Sequence, residues 1–237
     1  MHNVKTIYRK ELLSYFTSPM AYIFLVIFSL FNGYFFTNTF FLMGQSDMRA
    51  LFNVVPLIYL FFIPAVTMSL IAREKNSGTI EVISTLPIED WQFVVGKYLA
   101  ALTLIVIGLA FSLVHFFTLV MTGTNIDYGA ALCGYLGLIV VGAFYAAIGT
   151  FASGVTENQV VAFIIGVALV LVFFLMNMLL MFTPSWLSGI VQYLSVDYHL
   201  SNLSKGVIDS RNIIYFGSMI WFFLTLTVRL LEMRKWR

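Results

Sequence analysis

The sequence has few charged side chains. Asp, Glu, Lys and Arg make up 10% of the 237 residues, and apolar residues make up 60%, whereas a soluble domain carries about 25% charged residues. Together with a mean hydropathy of +0.93, this shortage excludes an ordinary soluble domain. The net charge of +2 is too small to indicate a nucleic-acid partner, so the positions of the charges are more informative than their sum.

Cysteine is almost absent, and no cluster of metal ligands stands out. The single cysteine, Cys133, excludes an intrachain disulfide and a cysteine-rich metal cluster, and we interpret it as a small buried or lipid-facing residue. Asp197 and His199 are two candidate ligands, which is too few for a metal site. We therefore predict that this chain binds no metal.

Two short motifs are also missing. The chain has no G-x-x-x-x-G-K-[ST] phosphate-binding loop, so it cannot bind ATP by that route. The N-terminus lacks the succession of basic, apolar and small residues that makes a cleavable signal peptide. We therefore expect the first apolar segment to remain as a membrane anchor.

Long apolar segments fill most of the chain. Six of them are long enough to cross about 30 Å of hydrocarbon, so we predict an all-α integral membrane protein with a single transmembrane domain over residues 1–237. The predicted spans are 19–41, 51–71, 93–121, 128–151, 159–182 and 213–231.

Two further segments are amphipathic rather than membrane-spanning. In residues 3–17 apolar side chains recur at i, i+3 and i+4, while Lys5, Arg9 and Lys10 fall outside that stripe; this pattern predicts a helix lying on the membrane surface. Residues 185–206 form two short apolar pieces, each too short to cross the bilayer. They predict a re-entrant or interfacial hairpin before the last span.

The longest polar passage, residues 72–97, lies between the second and third spans. Asn76-Ser77-Gly78 is typical of a turn. Residues 79–85 can form a short helix, which Leu86-Pro87 ends because the residue before proline is pushed out of the α region. A short helix between two spans would make a docking surface for a soluble partner, and an ordinary solvated loop explains the composition equally well.

A few small and polar residues inside the spans carry further predictions. Small residues at four-residue intervals in the fourth span predict close helix packing, although glycine is common in membrane helices generally. These residues are Gly142, Ala146, Thr150 and Gly154. We expect His115 to be neutral and hydrogen-bonded between helices, although an ionisable group at this depth is a functional candidate. Asn177 is the one strongly polar residue inside the fifth span.

The distribution of basic residues predicts the orientation. With six spans, both termini and the loop at 72–97 lie on one side of the membrane. That side carries ten of the 13 Lys and Arg residues, and the other side carries three. The positive-inside rule therefore places the termini and the loop in the cytoplasm, and the hairpin at 185–206 outside.

The order of these elements and two stretches of sequence resemble a known family. Residues 9–36 read RKELLSYFTSPMAYIFLVIFSLFNGYFF, and the polar loop reads REKNSGTIEVISTLPI. Over its whole length it resembles the permeases of type-2 ABC transporters (the ABC-2 family), and it is most similar to the gliding-motility, or GldF-like, group. That family commonly carries E-x-x-x-G-T-x-E-x-L in this loop. Glu74, Gly78, Thr79 and Glu81 match this pattern, while the closing leucine falls at Leu86.

The resemblance implies roles for particular residues. The part of the polar passage between the predicted spans, residues 72–92, would be a cytoplasmic coupling loop. Its helix would contact an ATPase subunit through Glu74, Gly78, Thr79, Glu81, Thr85, Leu86 and Pro87. Thr156 and Glu157 would make a second cytoplasmic contact. Residues 3–17 would be the connecting helix, and residues 185–206 the extracellular hairpin that caps the translocation path.

The resemblance also implies partners and a location. ATP and Mg²⁺ would be bound by a separate ATPase chain, present in two copies, and not by this chain. A second permease copy, or a related permease, would complete the pathway in the bacterial inner membrane. An accessory envelope protein is a further candidate partner, whereas nucleic acid is not expected.

Three functions remain open on the sequence. The first is the ATP-driven export of a hydrophobic or amphipathic molecule. The second is mechanotransmission, in which the ATPase drives an envelope or gliding machine without moving a solute. The third, an ion-coupled secondary carrier, is disfavoured because the spans show neither mid-membrane charge pairs nor internal repeats.

Overall fold

The computed structural model describes residues 2–42, 48–123, 126–207 and 209–234. Within these ranges the regular structure is helical and contains no β-strand. The helices are α1 (His2–Thr17), α2 (Pro19–Thr37, continued by a π-helical turn Asn38–Leu42), α3 (Arg49–Thr67), α4 (Ala72–Asn76), α5 (Thr79–Ser84), α6 (Asp90–Thr122), α7 (Tyr128–Val155), α8 (Gln159–Leu179, continued by a 3₁₀ turn Leu180–Phe182), α9 (Ser185–Leu194), α10 (Val196–Ser204) and α11 (Ser210–Arg234).

Six helices in the described part of the chain are long and apolar enough to span a membrane, namely α2, α3, α6, α7, α8 and α11. The predicted all-α membrane fold is therefore confirmed. Several span boundaries differ by a few residues from the expected ones; α7, for example, ends at Val155 rather than at residue 151, and α11 begins at Ser210 rather than at residue 213. The second span leaves the α-helical conformation after Thr67 and passes through a turn into α4, and the third begins at Asp90 rather than at residue 93.

The centre of the bundle is formed by α7 and α3. In their most apolar stretches 72% and 67% of the residues are buried, against 17% in α8. Small residues on α7 make this close packing feasible. A side chain at Gly134 would overlap the Phe52 ring of α3, and one at Gly149 would overlap the Thr67 side chain.

The four small residues predicted to form a stripe on α7 are all buried, but they face more than one helix. A Cβ atom added at Gly142 would lie 2.9 Å from Ile105 Cγ2 of α6 and 3.3 Å from Tyr59 of α3. One added at Gly154 would lie 3.2 Å from Thr227 Cγ2 of α11. Because α7 is surrounded by these helices, it has no single interface. The closest approaches, at Gly134 and Gly149, fall outside the predicted stripe.

The two ends of the bundle differ. We call the end that carries α1, α4 and α5 the loop face, and the end that carries α9 and α10 the hairpin face. The helix α10 packs on the first half of α7, where a Cβ atom added at Gly137 would lie 3.0 Å from Leu200 Cδ1. At about 1.5 Å per residue, neither α9 nor α10 is long enough to cross the membrane. The two short pieces predicted before the last span are therefore present as two helices that meet at Ser195.

The hairpin is fastened to α11 by polar contacts around His199, which is buried. Its Nδ1 lies 2.7 Å from Asn212 Oδ1 and its Nε2 lies 2.8 Å from the Tyr193 carbonyl oxygen. The Tyr215 ring stacks on His199 at 4.1 Å, and its hydroxyl donates to the Leu194 carbonyl at 2.7 Å. Both ring nitrogens of His199 are therefore engaged in structural contacts.

The expectation for His115 needs correction. Its ring is half-buried and stacks on Phe36 of α2, with 4.9 Å between the ring centroids. Among the described residues it has no hydrogen-bond partner, so it packs as an aromatic ring and not through a hydrogen bond between helices. Asn177, in contrast, does reach another element, because its Nδ2 donates to Asp197 Oδ2 of α10 at 2.6 Å.

Candidate functional site

The short helix α5 is the most exposed helical element on the loop face. It starts after Gly78, whose φ of +69° lies in the left-handed region. A Cβ atom there would meet no atom within 4 Å, so the backbone conformation alone accounts for glycine at this position. Thr79 Oγ1 bonds back to the Glu74 carbonyl at 3.3 Å, and the buried Ile80 anchors the helix to the protein.

The outer side of α5 combines apolar and acidic side chains. Val82 is 65% exposed, Leu86 is 50% exposed, and Trp91, on the first turn of α6, is 44% exposed. Glu81 is also exposed at this surface. Exposed apolar residues with a polar rim are typical of a protein-contact surface. We call this patch, from Thr79 to Pro87 with Trp91, the α5 surface.

A cluster of buried charges lies beneath the α5 surface. Lys97 of α6, Glu11 of α1 and Glu74 of α4 have side chains that are 1%, 4% and 8% exposed. Lys97 Nζ lies 2.9 Å from Glu11 Oε2 and 3.1 Å from Glu74 Oε1. One ammonium group therefore bridges two carboxylates that belong to two other helices. We call these three residues the charge cluster.

Two exposed cations flank the charge cluster. Lys10 lies 3.5 Å from Glu74 Oε1, and Arg73 lies 3.9 Å from Glu11 Oε1. The Phe93 ring covers Lys97 Nζ at 5.1 Å. The buried charges sum to −1 and the two flanking cations bring the sum to +1, so the group is close to balanced. Removing a single charged residue from this group would destabilise the protein, because the charge that remains would stay buried without its partner.

Tyr15 is packed beside the charge cluster. Its hydroxyl donates to the Val66 carbonyl of α3 at 2.9 Å. Burial raises the pKa of Tyr15 well above its ordinary value; Glu11 adds to this rise and Arg73 opposes it. The phenol therefore remains neutral and serves as a hydrogen-bond donor between α1 and α3.

A second set of contacts joins the base of the loop to α7. Ser153 Oγ accepts from the backbone N–H groups of Ile71 and Ala72 at 2.9 and 3.0 Å, and donates to the Met68 carbonyl at 2.8 Å. Lys75 Nζ donates to the Gly154 carbonyl. These bonds satisfy the backbone of the turn that follows α3, which explains why the second span stops being helical at Thr67.

The helix α1 completes the loop face by packing across the start of α6. A Cβ atom added at Gly96 would lie 2.9 Å from Ile7 and 3.1 Å from the Val4 carbonyl oxygen, so only glycine admits this approach. Asn3 Nδ2 donates to the Pro87 carbonyl at 3.2 Å, immediately after α5. The start of α1 therefore touches the end of the loop, and Glu11 touches its base.

The structure places the predicted contact residues in three regions. These are the α5 surface with the turn before it, the connection from α7 to α8, and, for Glu74, the buried base of the loop. Thr79, Glu81, Thr85, Leu86 and Pro87 are exposed on or beside the α5 surface, and Gly78 sets the turn before it. Thr156 is half-buried and Glu157 is exposed in the connection from α7 to α8, next to the end of α7 that Lys75 contacts.

Glu74 is placed differently from the exposed contact that its motif position predicted. Its carboxylate is turned inward to Lys97, and the side chain is almost fully buried. The reason is electrostatic, since Lys97 is itself inaccessible to solvent and needs carboxylate partners. Glu74 therefore belongs to the base of the loop and not to its exposed surface.

Sequence reasoning did not identify Glu11 and Lys97 as a pair. Of these two residues, only Glu11 has a sequence position that indicates a buried partner. It lies four residues after Ile7 and four before Tyr15, on the otherwise apolar stripe of α1. A carboxylate on a buried stripe requires a partner, but the sequence does not say that the partner lies 86 residues away.

Comparison with known protein families gives a match over most of the chain. The model of a family described as "ABC-2 family transporter protein" matches residues 5–216, which is most of the chain. No curated protein matches the chain significantly.

Proposed function

Because this chain belongs to the ABC-2 family of transporter proteins, we propose that it is the permease subunit of an ATP-driven transporter and that the α5 surface docks onto a separate ATPase subunit. The observation that carries this proposal is the position of α5. It is a short helix with exposed apolar side chains, and its base is fastened to three other helices by buried polar contacts.

The same contacts suggest how motion in the ATPase would reach the membrane spans. A displacement of α5 moves α4, to which it is joined through Gly78. The Glu74 carboxylate then pulls on Lys97 of α6, and Lys97 holds Glu11 of α1. The Ser153 contacts carry the same displacement to α7. The bundle therefore responds at α1, α6 and α7 together.

The proposal includes the composition of the complex and its location. We infer two permease copies and two ATPase copies, the permeases being either identical or related. Closed two-fold symmetry is the usual way to join like halves. The excess of basic residues on the loop face supports a cytoplasmic position for α1 and α5 in a bacterial inner membrane.

The transported molecule is inferred to be hydrophobic or amphipathic and to be exported. The spans carry few charged residues, so a pathway between them would offer few polar contacts. The opening of the chain, from Arg9 to Tyr22, supports membership of the gliding-motility permease group. For that reason, force transmission to an envelope machine without solute transport is the second candidate function.

The test is co-purification of the tagged chain from its native membrane, followed by ATPase assays of the recovered complex. We expect a P-loop ATPase to co-purify and its turnover to depend on the α5 surface. Val82→Asp places a charge in the centre of that surface, where a buried unpaired charge in an interface costs several kcal/mol. It should abolish co-purification, whereas the matched variant Val82→Leu should retain it.

Two results would refute the proposal. One is recovery of the chain without any ATPase under conditions that preserve its fold. The other is unchanged ATPase turnover in the Val82→Asp complex. Movement of a labelled amphiphile by the reconstituted complex would separate transport from force transmission.

A further inference from the structure

A small cavity opens on the hairpin face, between α3, α8 and α10. Its volume is about 120 Å³, which is room for about four water molecules or one small polar headgroup. Three polar residues line it, Asn53 of α3, Asn177 of α8 and Asp197 of α10, and the apolar part of its wall includes Phe174 and Met178. This cavity lies at the opposite end of the bundle from the α5 surface.

The polar groups of the cavity are incompletely satisfied within the described part of the chain. Asp197 Oδ2 accepts from Asn177 Nδ2 at 2.6 Å, and its other oxygen has no partner there. The side-chain amide of Asn53 likewise makes no hydrogen bond to a described residue. No Lys or Arg lines the cavity. One carboxylate oxygen and one amide are therefore available to a ligand.

The position of Asp197 is fixed by the hairpin. It lies in the first turn of α10, where the helix N-terminus favours a negative charge. Two residues later, the buried His199 is bonded to Asn212 and to the Tyr193 carbonyl. Val196 is also buried, so the backbone around Asp197 is held on both sides. Asp197 itself is exposed, so its carboxylate is accessible to a ligand; it is oriented by the hydrogen bond from Asn177 and is not carried by a free loop.

These features select one chemical class of ligand. A carboxylate without a basic partner in its cavity attracts a cation and repels an anion. The uncommitted oxygen needs a hydrogen-bond donor, and the Phe174 ring adds a surface that favours a cation. One turn from Phe174 towards the membrane interior, α8 exposes the apolar side chain of Leu171, along which an alkyl chain can lie in the bilayer.

We propose that this cavity binds the ammonium headgroup of an amphipathic molecule, with the carboxylate of Asp197 as its counter-ion. The proposal names the substrate class of the transporter and rests on the proposed function. A membrane lipid with an ammonium headgroup and a free alkylamine present the same chemistry, so both are candidate sources of this ligand.

The test uses the full-length chain in nanodiscs of phosphatidylglycerol, a lipid without an ammonium group. A dodecylammonium analogue with a photoactivatable group on its alkyl chain is crosslinked to the protein, and mass spectrometry locates the modified residues. Unlabelled dodecylammonium and dodecanol are added as competitors. We expect labelling on α8, competition by dodecylammonium, and competition at least tenfold weaker by dodecanol.

Variants identify the counter-ion. Asp197→Asn should weaken the competition by dodecylammonium about tenfold, since it replaces a charge-assisted hydrogen bond. Asn53→Leu, which leaves α10 untouched, should also reduce labelling. Asp209→Asn is the matched control, because it removes a carboxylate at the same end of the bundle outside the cavity and keeps a residue that can cap α11. Its labelling should stay within twofold of the unmodified chain.

Equal competition by dodecanol, or unchanged binding in Asp197→Asn, would overturn the proposal. Adding phosphatidylethanolamine to the nanodiscs separates the sources: loss of labelling supports the lipid headgroup, and unchanged labelling supports a free alkylamine. Photolabelling needs no ATPase, so a failure to label would count against the headgroup site alone. The proposed function is tested separately, by co-purification of the ATPase with the unmodified chain and with the Val82→Asp variant.

Discussion

Replacing Lys97 with methionine tests the charge cluster directly. Lys97 is 1% exposed and is the buried partner of both Glu11 and Glu74, at 2.9 and 3.1 Å. Methionine fills a similar volume but leaves two buried carboxylates facing each other. Removing one member of a buried ion pair costs about 3–5 kcal/mol. For a chain of this size, that loss should lower the midpoint temperature of thermal unfolding by about 10 °C.

The same experiment includes a compensated variant. Lys97→Met combined with Glu11→Gln and Glu74→Gln removes all three buried charges at once. Neutral replacement of a buried charge group is often without cost, so most of the lost stability should return. The coupling of ATPase turnover to the permease should not return, because the link from α4 to α6 and α1 is then broken.

Thermal unfolding of the purified chain and ATPase stimulation in the reconstituted complex are the two measurements. Arg229→Met is the control, since Arg229 pairs with Glu232 at 3.0 Å but is 71% exposed, and surface pairs contribute about 0–1 kcal/mol. Unchanged unfolding of Lys97→Met would refute the electrostatic argument. Normal ATPase stimulation by the compensated triple variant would refute transmission through the cluster.

Three further predictions concern packing and topology. Ser153→Ala removes the shared acceptor of two buried backbone N–H groups and should lower the free energy of unfolding by about 1–3 kcal/mol, measured by chemical unfolding in mixed micelles. Gly134→Ala places a methyl group into the Phe52 ring and should cost about 1–3 kcal/mol in the same assay. Gly189→Cys in a Cys133→Ala background should react with an impermeant thiol reagent in intact cells, because the hairpin face is expected outside.

Each of these predictions has its own control or contrary result. Gly189→Ala is matched to Gly134→Ala, since a Cβ atom at Gly189 meets nothing within 4 Å and should leave stability unchanged. Equal stability of Ser153→Ala and the unmodified chain would mean that water replaces the hydroxyl. Labelling of Gly189→Cys only after cells are permeabilised would reverse the orientation.

The membrane architecture was predictable because it depends on local properties. Span length follows from uninterrupted apolar runs, and the hairpin follows from pieces too short to cross the bilayer. The α5 helix could also be predicted from the sequence, because a turn at Gly78 precedes it and Pro87 ends it. Each of these signals lies within the segment that it describes.

The charge cluster and the cavity were not predictable for the opposite reason. In the sequence Lys97 closes the polar passage, and only the packing of α1 on α6 turns it inward. Glu74 occupies the same motif position whether it faces a partner or the interior. In the sequence, the only candidate partner near Asp197 is His199, whereas the structure pairs Asp197 with Asn177. Contacts of this kind depend on tertiary packing, which periodicity does not encode.

The bond between Glu11 and Lys97 also constrains how the protein is made. The two residues are separated by 86 positions, and the ribosome adds about 5–20 residues per second. Glu11 is therefore synthesised roughly 4–17 s before its counter-ion. During that interval α1 lacks the partner that holds it in place. Its final docking waits for the third span, so the first helix in the sequence reaches its native position only after two spans that follow it have been made.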